Sequence, residues 1–99
     1  MTAGFMHIGK FKIKPDHRDR FIEVMKDYES FATQKGLNRS HLIEDETESG
    51  TFMHVTIWKA REDWSEIEET TGHKNMHKER DAFLSEPMEH DFVCGTVLI

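Results

Sequence analysis

Two histidines lie four residues apart in the stretch TTGHKNMHKERDAF, which covers positions 70–83. Residues at this spacing share one face of a helix, so His73 and His77 should be neighbours. An imidazole exchanges a proton near neutral pH and also binds metal ions, so the pair could serve either chemistry. A zinc site needs at least three protein ligands, and the spacing supplies no third ligand. The pair therefore predicts either a pocket-lining site or two polar residues on a solvated helix.

Three further histidines fall in segments with the composition of β-strands, namely His7, His41 and His54. If these strands are neighbours, some of the imidazoles could face one cavity and remove the proton of a phenol or hydroquinone. The resulting electron-rich anion would then react with O₂. The alternative is that each histidine lies at a sheet edge or in a dimer interface. The sequence leaves both open, because a register slip of one residue moves every side chain to the other face of the sheet.

The composition limits the classes of function. The chain has 99 residues, which predicts a single domain over positions 1–99. Its net charge of −6, with no basic patch, predicts that nucleic acid is not a partner. The single cysteine, Cys94, excludes an intrachain disulfide and indicates a buried, unreactive thiol. Neither a signal-peptide-like run nor an apolar stretch of roughly 18 residues occurs, so we predict a cytoplasmic protein without membrane contact.

Hydrophobic periodicity predicts an alternation of strands and helices. In chain order these are a strand at 5–13, a helix at 16–35, strands at 37–45 and 51–59, helical segments at 61–70 and 73–84, and a strand at 90–99. Asp16, after Pro15, is expected to cap the first helix, and Gly72 to interrupt the second helical region. The order β-α-β-β-α-β is that of a ferredoxin-like α+β fold, a four-stranded antiparallel sheet with the helices on one face.

Both faces of the predicted sheet carry large apolar side chains. In the third strand Phe52 and Trp58 lie on one face, and Met53, Val55 and Ile57 lie on the other. A sheet with helices on one face only would normally be polar on its open face. A second copy of the chain would cover these residues, so the pattern predicts a homodimer.

The second helical region places its histidines at the edge of its apolar face. At about 100° per residue, His73, His77 and Arg80 lie within about 60° of one another. Met76 and Phe83 flank that stripe. We expect His77 to line a pocket and His73, nearer the helix start, to be more exposed. Arg80 could attract a carboxylate, although a solvated ion pair is the simpler expectation.

Aromatic residues supply possible walls for a pocket. Trp58 and Trp64 could stack on an aromatic ligand, and Tyr28 and Phe31 lie on the inward stripe of the first helix. The alternative for each of them is a place in the hydrophobic core.

Three stretches together resemble the antibiotic biosynthesis monooxygenase (ABM) domains. KFKIKPDHRDRFIEVM is similar to the opening strand, turn and amphipathic helix of these domains, with Asp16 where glycine is usual. HVTIWKAREDWSEI resembles their strand that ends in tryptophan and leads through a polar link to an aromatic residue. TTGHKNMHKERDAF resembles their second helical piece, which often carries a histidine. The resemblance covers nearly the whole chain.

The resemblance implies a dimeric α+β barrel in which two sheets face each other and each protomer keeps its own pocket. Members of the family oxygenate aromatic polyketides or quinols without metal or flavin, others bind and degrade haem, and some relatives isomerise or only bind small molecules. His77 falls where the haem-degrading branch places its iron ligand. Gly9 and Ile67 stand where that branch has a polar amide residue and a tryptophan.

The leading hypothesis is a cofactor-independent monooxygenase acting on a small aromatic or quinol-type molecule. Its predicted acid–base or polarising groups are His77, His54 and His7, and its predicted pocket walls are Trp64, Trp58, Phe31 and Tyr28. One alternative is a haem-degrading monooxygenase with His77 as the iron ligand. The other is a non-catalytic dimeric protein that binds a small molecule, since a fold does not determine a function.

Overall fold

The computed structural model describes residues 4–99 and has the predicted order of elements. The strands are β1 (Phe5–Lys12), β2 (Leu37–Glu44), β3 (Thr51–Trp58) and β4 (Glu89–Thr96). The helices are α1 (Arg18–Thr33), α2 (Arg61–Glu68) and α3 (Thr71–Asp81). The β-α-β-β-α-β prediction is therefore confirmed, with the second helical region divided in two. None of these helices, within residues 4–99, is long and apolar enough to cross a bilayer.

The first helix begins later than the sequence suggested. Lys14 is extended (φ −60°, ψ 131°), as expected for a residue before proline. Pro15–His17 then forms a short 3₁₀ turn, and α1 starts at Arg18 with His17 as its N-cap. Asp16 lies inside the turn and makes no capping hydrogen bond, so the prediction that it caps the helix was wrong. The apolar stripe of α1 is buried as predicted: Phe21, Val24, Met25, Tyr28 and Ala32.

The sheet has the strand order β2-β3-β1-β4, and every pair is antiparallel. In the central pair, His7 lies opposite Thr56, and Gly9 lies opposite His54. On the other side of β1, His7 lies opposite Cys94. Alternation along the strands places His7 and His54 on the face that the helices cover, so this face can carry a site.

The break in the second helical region is set by Thr70 and not by Gly72. The Thr70 hydroxyl accepts a hydrogen bond from the His73 backbone N–H (3.2 Å), which caps α3 at its start. Gly72 lies inside α3, so the prediction that it interrupts the helix was wrong. Its missing side chain makes room for Phe31, because a Cβ at this position would lie 2.6 Å from Phe31 Cζ.

The core lies between the sheet and the helices. The rings of Phe11 and Phe52 both meet the ring of Phe21 edge-on, at 5.2 and 5.1 Å. Trp58 and Ile67 are also fully buried. Burying one such side chain stabilises the fold by about 1.5–3 kcal/mol. This packing holds β1, β3 and α1 in a fixed relation, which positions the side chains of the cavity between sheet and helices.

The opposite face of the sheet is open and apolar in the single chain. Ile43, Phe92 and Val93 are 45%, 45% and 40% exposed. Val55 and Ile57 lie on this face by alternation with the buried Thr56 and are only partly covered. This is the face that the predicted homodimer would cover.

Gly36 follows the first helix, and its backbone conformation predicts that a substitution there lowers the stability of the protein. Its φ of +101° lies in a region that residues with a Cβ avoid, and a Cβ would lie 2.6 Å from Asp63 Cγ. We expect Gly36→Ala to lower the free energy of unfolding by about 1–3 kcal/mol. Ser30→Ala, at an exposed position on α1, is the control and should not lower the free energy of unfolding. Urea unfolding of both variants tests this, and equal stabilities would contradict it.

Candidate active site

A cavity between the sheet and the helices is lined by five of the seven histidines. They are His7, His54, His73, His77 and His90. Strands β1 and β3 supply the first two, α3 supplies the next two, and β4 supplies the last. Trp58, Trp64 and Tyr28 also line it, as predicted for pocket walls. The fold thus brings together residues that lie more than eighty positions apart in the chain.

Two residues that the sequence suggested for the pocket, Phe31 and His41, do not line the cavity. Phe31 does not line the cavity and packs against Gly72 where α1 meets α3. His41 is exposed on β2. Trp58 is fully buried, so it is at once a core residue and part of the cavity wall.

His73 is buried, with only 8% of its surface exposed, so the prediction that it would be the more exposed histidine was wrong. The reason is the rotation of α3, which turns His73, Met76 and Arg80 inward at positions i, i+3 and i+7. The Tyr28 hydroxyl lies 2.8 Å from His73 Nδ1. His77 is only partly buried, and its ring centre lies 4.1 Å from that of His73.

Three histidines of the cavity, His54, His73 and His77, are held neutral. Burial, followed by the positive charge of Arg80, lowers the pKa of His54 to about 3. Burial followed by the charge of Arg80 also lowers the pKa of His77 to about 3 and that of His73 to about 4. These imidazoles carry no charge at neutral pH and present one N–H donor and one acceptor each.

Arg80 is buried, with 4% of its surface exposed, so the expectation of a solvated arginine was wrong. It occupies the inward stripe of α3, and its guanidinium lies 5.9 Å from the centre of the Phe11 ring. Its Nε and Nη2 donate to Asp81 Oδ1 at 3.2 and 3.1 Å. Asp81 is half exposed, so water weakens its compensation of the buried positive charge.

The other end of the cavity holds a histidine–carboxylate pair. His7 Nε2 lies 3.0 Å from Asp91 Oδ1, and the His7 ring lies 5.0 Å from Trp64. Glu68 on α2 also lines this end, and burial raises its pKa. Sequence reasoning missed Asp91, Glu68 and His90. The only signal was the polar pair His90 and Asp91 at the start of an otherwise apolar strand.

Three side chains near this end could also hold a divalent metal ion. The ligating atoms of His7, Asp91 and Cys94 all lie within 4.8 Å of one another. Three protein ligands and one water complete a zinc site of the open type. Cys94 is exposed because β4 is an edge strand, so the prediction of a buried thiol was wrong. Burial of its sulfur still raises the pKa of the Cys94 thiol.

The size of the cavity limits what it can accept without rearrangement. It holds about 40 Å³, whereas a benzene-sized ligand needs roughly 150 Å³. A single aromatic ring therefore requires a modest displacement of wall side chains, for which the flexible Met88 and the exposed His90 are suited. A porphyrin is far larger, and the His77 ring lies between His73 at 4.1 Å and His90 at 5.6 Å. The residues around His77 do not fit haem.

These features define the class of the protein, a ferredoxin-like α+β domain with a histidine-lined pocket between sheet and helices. The sequence pattern described as antibiotic biosynthesis monooxygenase (ABM) matches residues 4–79. The chain belongs to this family, as its resemblance indicated. No curated protein sequence matches the chain.

Solved structures share the fold at low sequence identity. A Nitrosomonas europaea protein assigned as an antibiotic biosynthesis monooxygenase is 17% identical, covers 99% of this chain and 93% of its own, and has a TM-score of 0.86. SnoaB, a cofactor-independent oxygenase from Streptomyces nogalater, is 11% identical over 99% and 96%, with a TM-score of 0.82. A conserved Methanosarcina mazei Go1 protein is 10% identical over 97% and 92%, with a TM-score of 0.81. At these identities the likeness shows the fold alone.

Proposed function

We propose that the protein is a cofactor-independent monooxygenase that oxidises a small phenol or quinol. The observation that carries this proposal is the His7–Asp91 pair beside aromatic walls and neutral imidazoles in one cavity. Family membership and the fold shared with a cofactor-independent oxygenase support it.

His7 is the proposed base. Its Nε2–H donates to the Asp91 carboxylate, which leaves Nδ1 free to accept a proton and stabilises the imidazolium that forms. His54 and His77 are poor bases, because their pKa values of about 3 lie far below the ordinary phenol pKa of about 10. We assign them the second role predicted for them, as neutral polarising groups that hydrogen-bond the substrate or its anion.

The chemistry balances without an external reductant. For a phenol with a free para C–H, phenol plus O₂ gives para-quinone plus water, and the four electrons that the ring loses are those that O₂ gains. A quinol reacts in the same way at a free ring C–H and gives a hydroxyquinone plus water. His7 takes the hydroxyl proton, and the phenolate passes an electron to O₂. The radical pair joins at the para carbon, and the imidazolium returns its proton to give a hydroperoxide. Loss of the para C–H proton then breaks the O–O bond, forms the C=O bond and releases water.

We also propose that the protein is a homodimer with its two sheets facing each other. The support is the open apolar face of the sheet, which includes Val55, Ile57 and Val93. Light scattering at micromolar concentration is expected to give twice the chain mass of 11.7 kDa. Val55→Glu should shift the mass toward the monomer, because it places a charge in the apolar contact. Ser30→Glu on exposed α1 is the control and should stay dimeric. A wild-type monomer would contradict the proposal.

Oxygen uptake by the purified, chelator-treated protein tests the proposed function. With a panel of quinols and polyphenols, we expect at least one compound to be consumed together with O₂ and to yield a quinone. Chelation removes any metal from the His7, Asp91 and Cys94 cluster, so the remaining activity is that of the protein itself. If no compound in the panel turns over, the non-catalytic binding alternative replaces this proposal.

Titration with haemin tests the haem alternative separately. Because the cavity at His77 is too small for a porphyrin, we expect no sharp Soret band at one equivalent per protomer. A band of that stoichiometry that is lost in His77→Ala would instead support haem ligation by His77 and contradict the proposal of a cofactor-independent enzyme.

A further inference from the structure

We propose that the Arg80 end of the cavity binds a negatively charged oxygen on an aromatic ligand, held by the Nε2–H of His73 and Nη1 of Arg80. The inference rests on the proposed function and deepens it, because it names the charge and the orientation of the substrate. The shared chemistry is a phenolate or a carboxylate attached to a ring.

The hydrogen bond between Tyr28 and His73 sets the tautomer of the histidine. Among residues 4–99, the Tyr28 hydroxyl has one hydrogen-bond partner, His73 Nδ1, at 2.8 Å. If the hydroxyl donates, Nδ1 accepts, and the single N–H of the neutral ring is on Nε2. The opposite arrangement would leave both the hydroxyl hydrogen and the Nε2 lone pair without a partner. The first arrangement is therefore favoured, and Tyr28 fixes His73 as a donor at Nε2.

The Nε2 donor of His73 has no acceptor. Within residues 4–99, His73 Nε2 is buried and makes no hydrogen bond. A buried N–H without an acceptor is costly, so such groups usually mark a missing partner. The partly buried His77 ring lies over the His73 ring at 4.1 Å. His73 and His77 both line the cavity, so a small displacement of the His77 ring would let a ligand oxygen reach Nε2 and accept its hydrogen.

Arg80 also has an unused side. Its Nε and Nη2 donate to Asp81, whereas Nη1 meets only the sulfur of Met76 at 4.0 Å. Side chains on a helix lean toward its N-terminus, and the contact with Met76 shows that Arg80 reaches back in the direction of His73. His73 and Arg80 line the same cavity on one face of α3, and Nη1 has no oxygen acceptor among the described residues.

The cavity as a whole is polarised from one end to the other. Arg80 lies beside Phe11, whereas the acidic groups Asp91 and Glu68 lie beside His7. Phe11 and His7 are four residues apart on β1, a separation of roughly 13 Å along the strand. An anionic oxygen is attracted to the first end and repelled from the second. The reacting hydroxyl of the same molecule then points toward the base.

Ionisation of bound 4-nitrophenol under nitrogen tests the proposal, because its phenolate absorbs visible light and its phenol does not. We expect the apparent pKa of the ligand to fall by about one unit or more on binding, equivalent to a tenfold preference for the anion. Tyr28→Phe should reduce the shift, and Arg80→Met should remove most of it. Arg80→Lys keeps the positive charge and should keep part of the pKa shift, which distinguishes loss of the charge from loss of the fold. Arg20→Met, at an exposed arginine on α1, is the control and should leave the shift unchanged.

Competition distinguishes the two sources of the anionic oxygen. Displacement of 4-nitrophenol by benzoate assigns carboxylates as ligands, and displacement only by phenols restricts the site to phenolates. Nitrobenzene has the ring without the charge and should compete weakly. Equal competition by nitrobenzene, or an unshifted ligand pKa, would overturn the inference. Both measurements are made without O₂, so they do not depend on turnover. A lowered pKa of the bound ligand in a protein that turns over no substrate would contradict only the proposed function. Turnover by a protein that leaves the ligand pKa unchanged would contradict only this inference.

Discussion

The free energy of unfolding is expected to fall by about 2–3 kcal/mol for each pH unit between pH 6 and pH 4.5. Burial and the charge of Arg80 lower the pKa of His54 and His77 to about 3 and that of His73 to about 4. In the unfolded chain the same groups titrate near the ordinary imidazole pKa of about 6.5. The unfolded state therefore binds more protons as the pH falls, and stability is lost.

The pH window follows from these values. Stability from neutral histidines is fully present above about pH 6.5 and is lost as the pH falls toward the folded pKa values. Each fully buried imidazole contributes at most about 1.4 kcal/mol per pH unit, and we discount the sum because His77 is partly exposed. Glu68 acts in the opposite direction, since burial raises its pKa. Glu44 and Asp45 have lowered pKa values and lose their effect only at more acidic pH.

Urea unfolding at fixed protein concentration, repeated from pH 7 to pH 4.5, measures this effect. The expected loss between pH 6 and pH 4.5 is about 3–4.5 kcal/mol, a large part of a total stability of about 5–15 kcal/mol, so the urea midpoint should fall markedly. His77→Gln should flatten the pH dependence, because it removes one of the neutral imidazoles. His17→Gln replaces a histidine outside the cavity and outside the open face of the sheet, and it should leave the slope unchanged. A flat profile between pH 7 and pH 5 would show that the cavity histidines titrate freely.

Replacing the proposed base is expected to have the largest effect on activity. His7→Gln should lower kcat/KM by about 10²–10⁴, the usual contribution of a positioned general base. Asp91→Asn should have a smaller effect, because it keeps a hydrogen bond to His7 but removes the charge that stabilises the imidazolium. Steady-state oxygen uptake over a range of pH measures both variants.

Two controls make this prediction specific. His17→Gln makes the same replacement outside the cavity and should retain full activity. His7→Gln should still bind 4-nitrophenolate, because Arg80 lies beside Phe11, toward the other end of the cavity. Full turnover by a folded His7→Gln variant would remove His7 as the base and return His54 and His77 to consideration.

The fold could be predicted from the sequence because its signals are local. The apolar stripe of α1, which includes Phe21 and Met25, has the helical period, and β3 has the period of a strand. Alternation also placed His54 on the same face of β3 as Phe52 and Trp58, but it did not show which face the helices cover, because the other face is apolar too. The single domain, the homodimer and the cytoplasmic location stay predictions.

The site was only partly predictable, because its key features depend on the rotation of α3 and on long-range pairing. The spacing of His73 and His77 shows that they are neighbours but does not show which one faces the sheet. A buried arginine is rare, so Arg80 carried no local signal of burial. Asp91 meets His7 only because β4 pairs with β1, and a register is not visible in either strand alone.

Oxidation under ¹⁸O₂ is the most direct test of the proposed oxygenase chemistry. The chelator-treated, flavin-free protein is given a quinol or phenol substrate and labelled oxygen, and the quinone is analysed by mass spectrometry with O₂ uptake recorded in parallel. We predict one labelled oxygen atom in each quinone and one O₂ consumed for each substrate. An unlabelled quinone formed with hydrogen peroxide, or activity that returns only after a metal or flavin is added, would contradict cofactor-independent oxygenation.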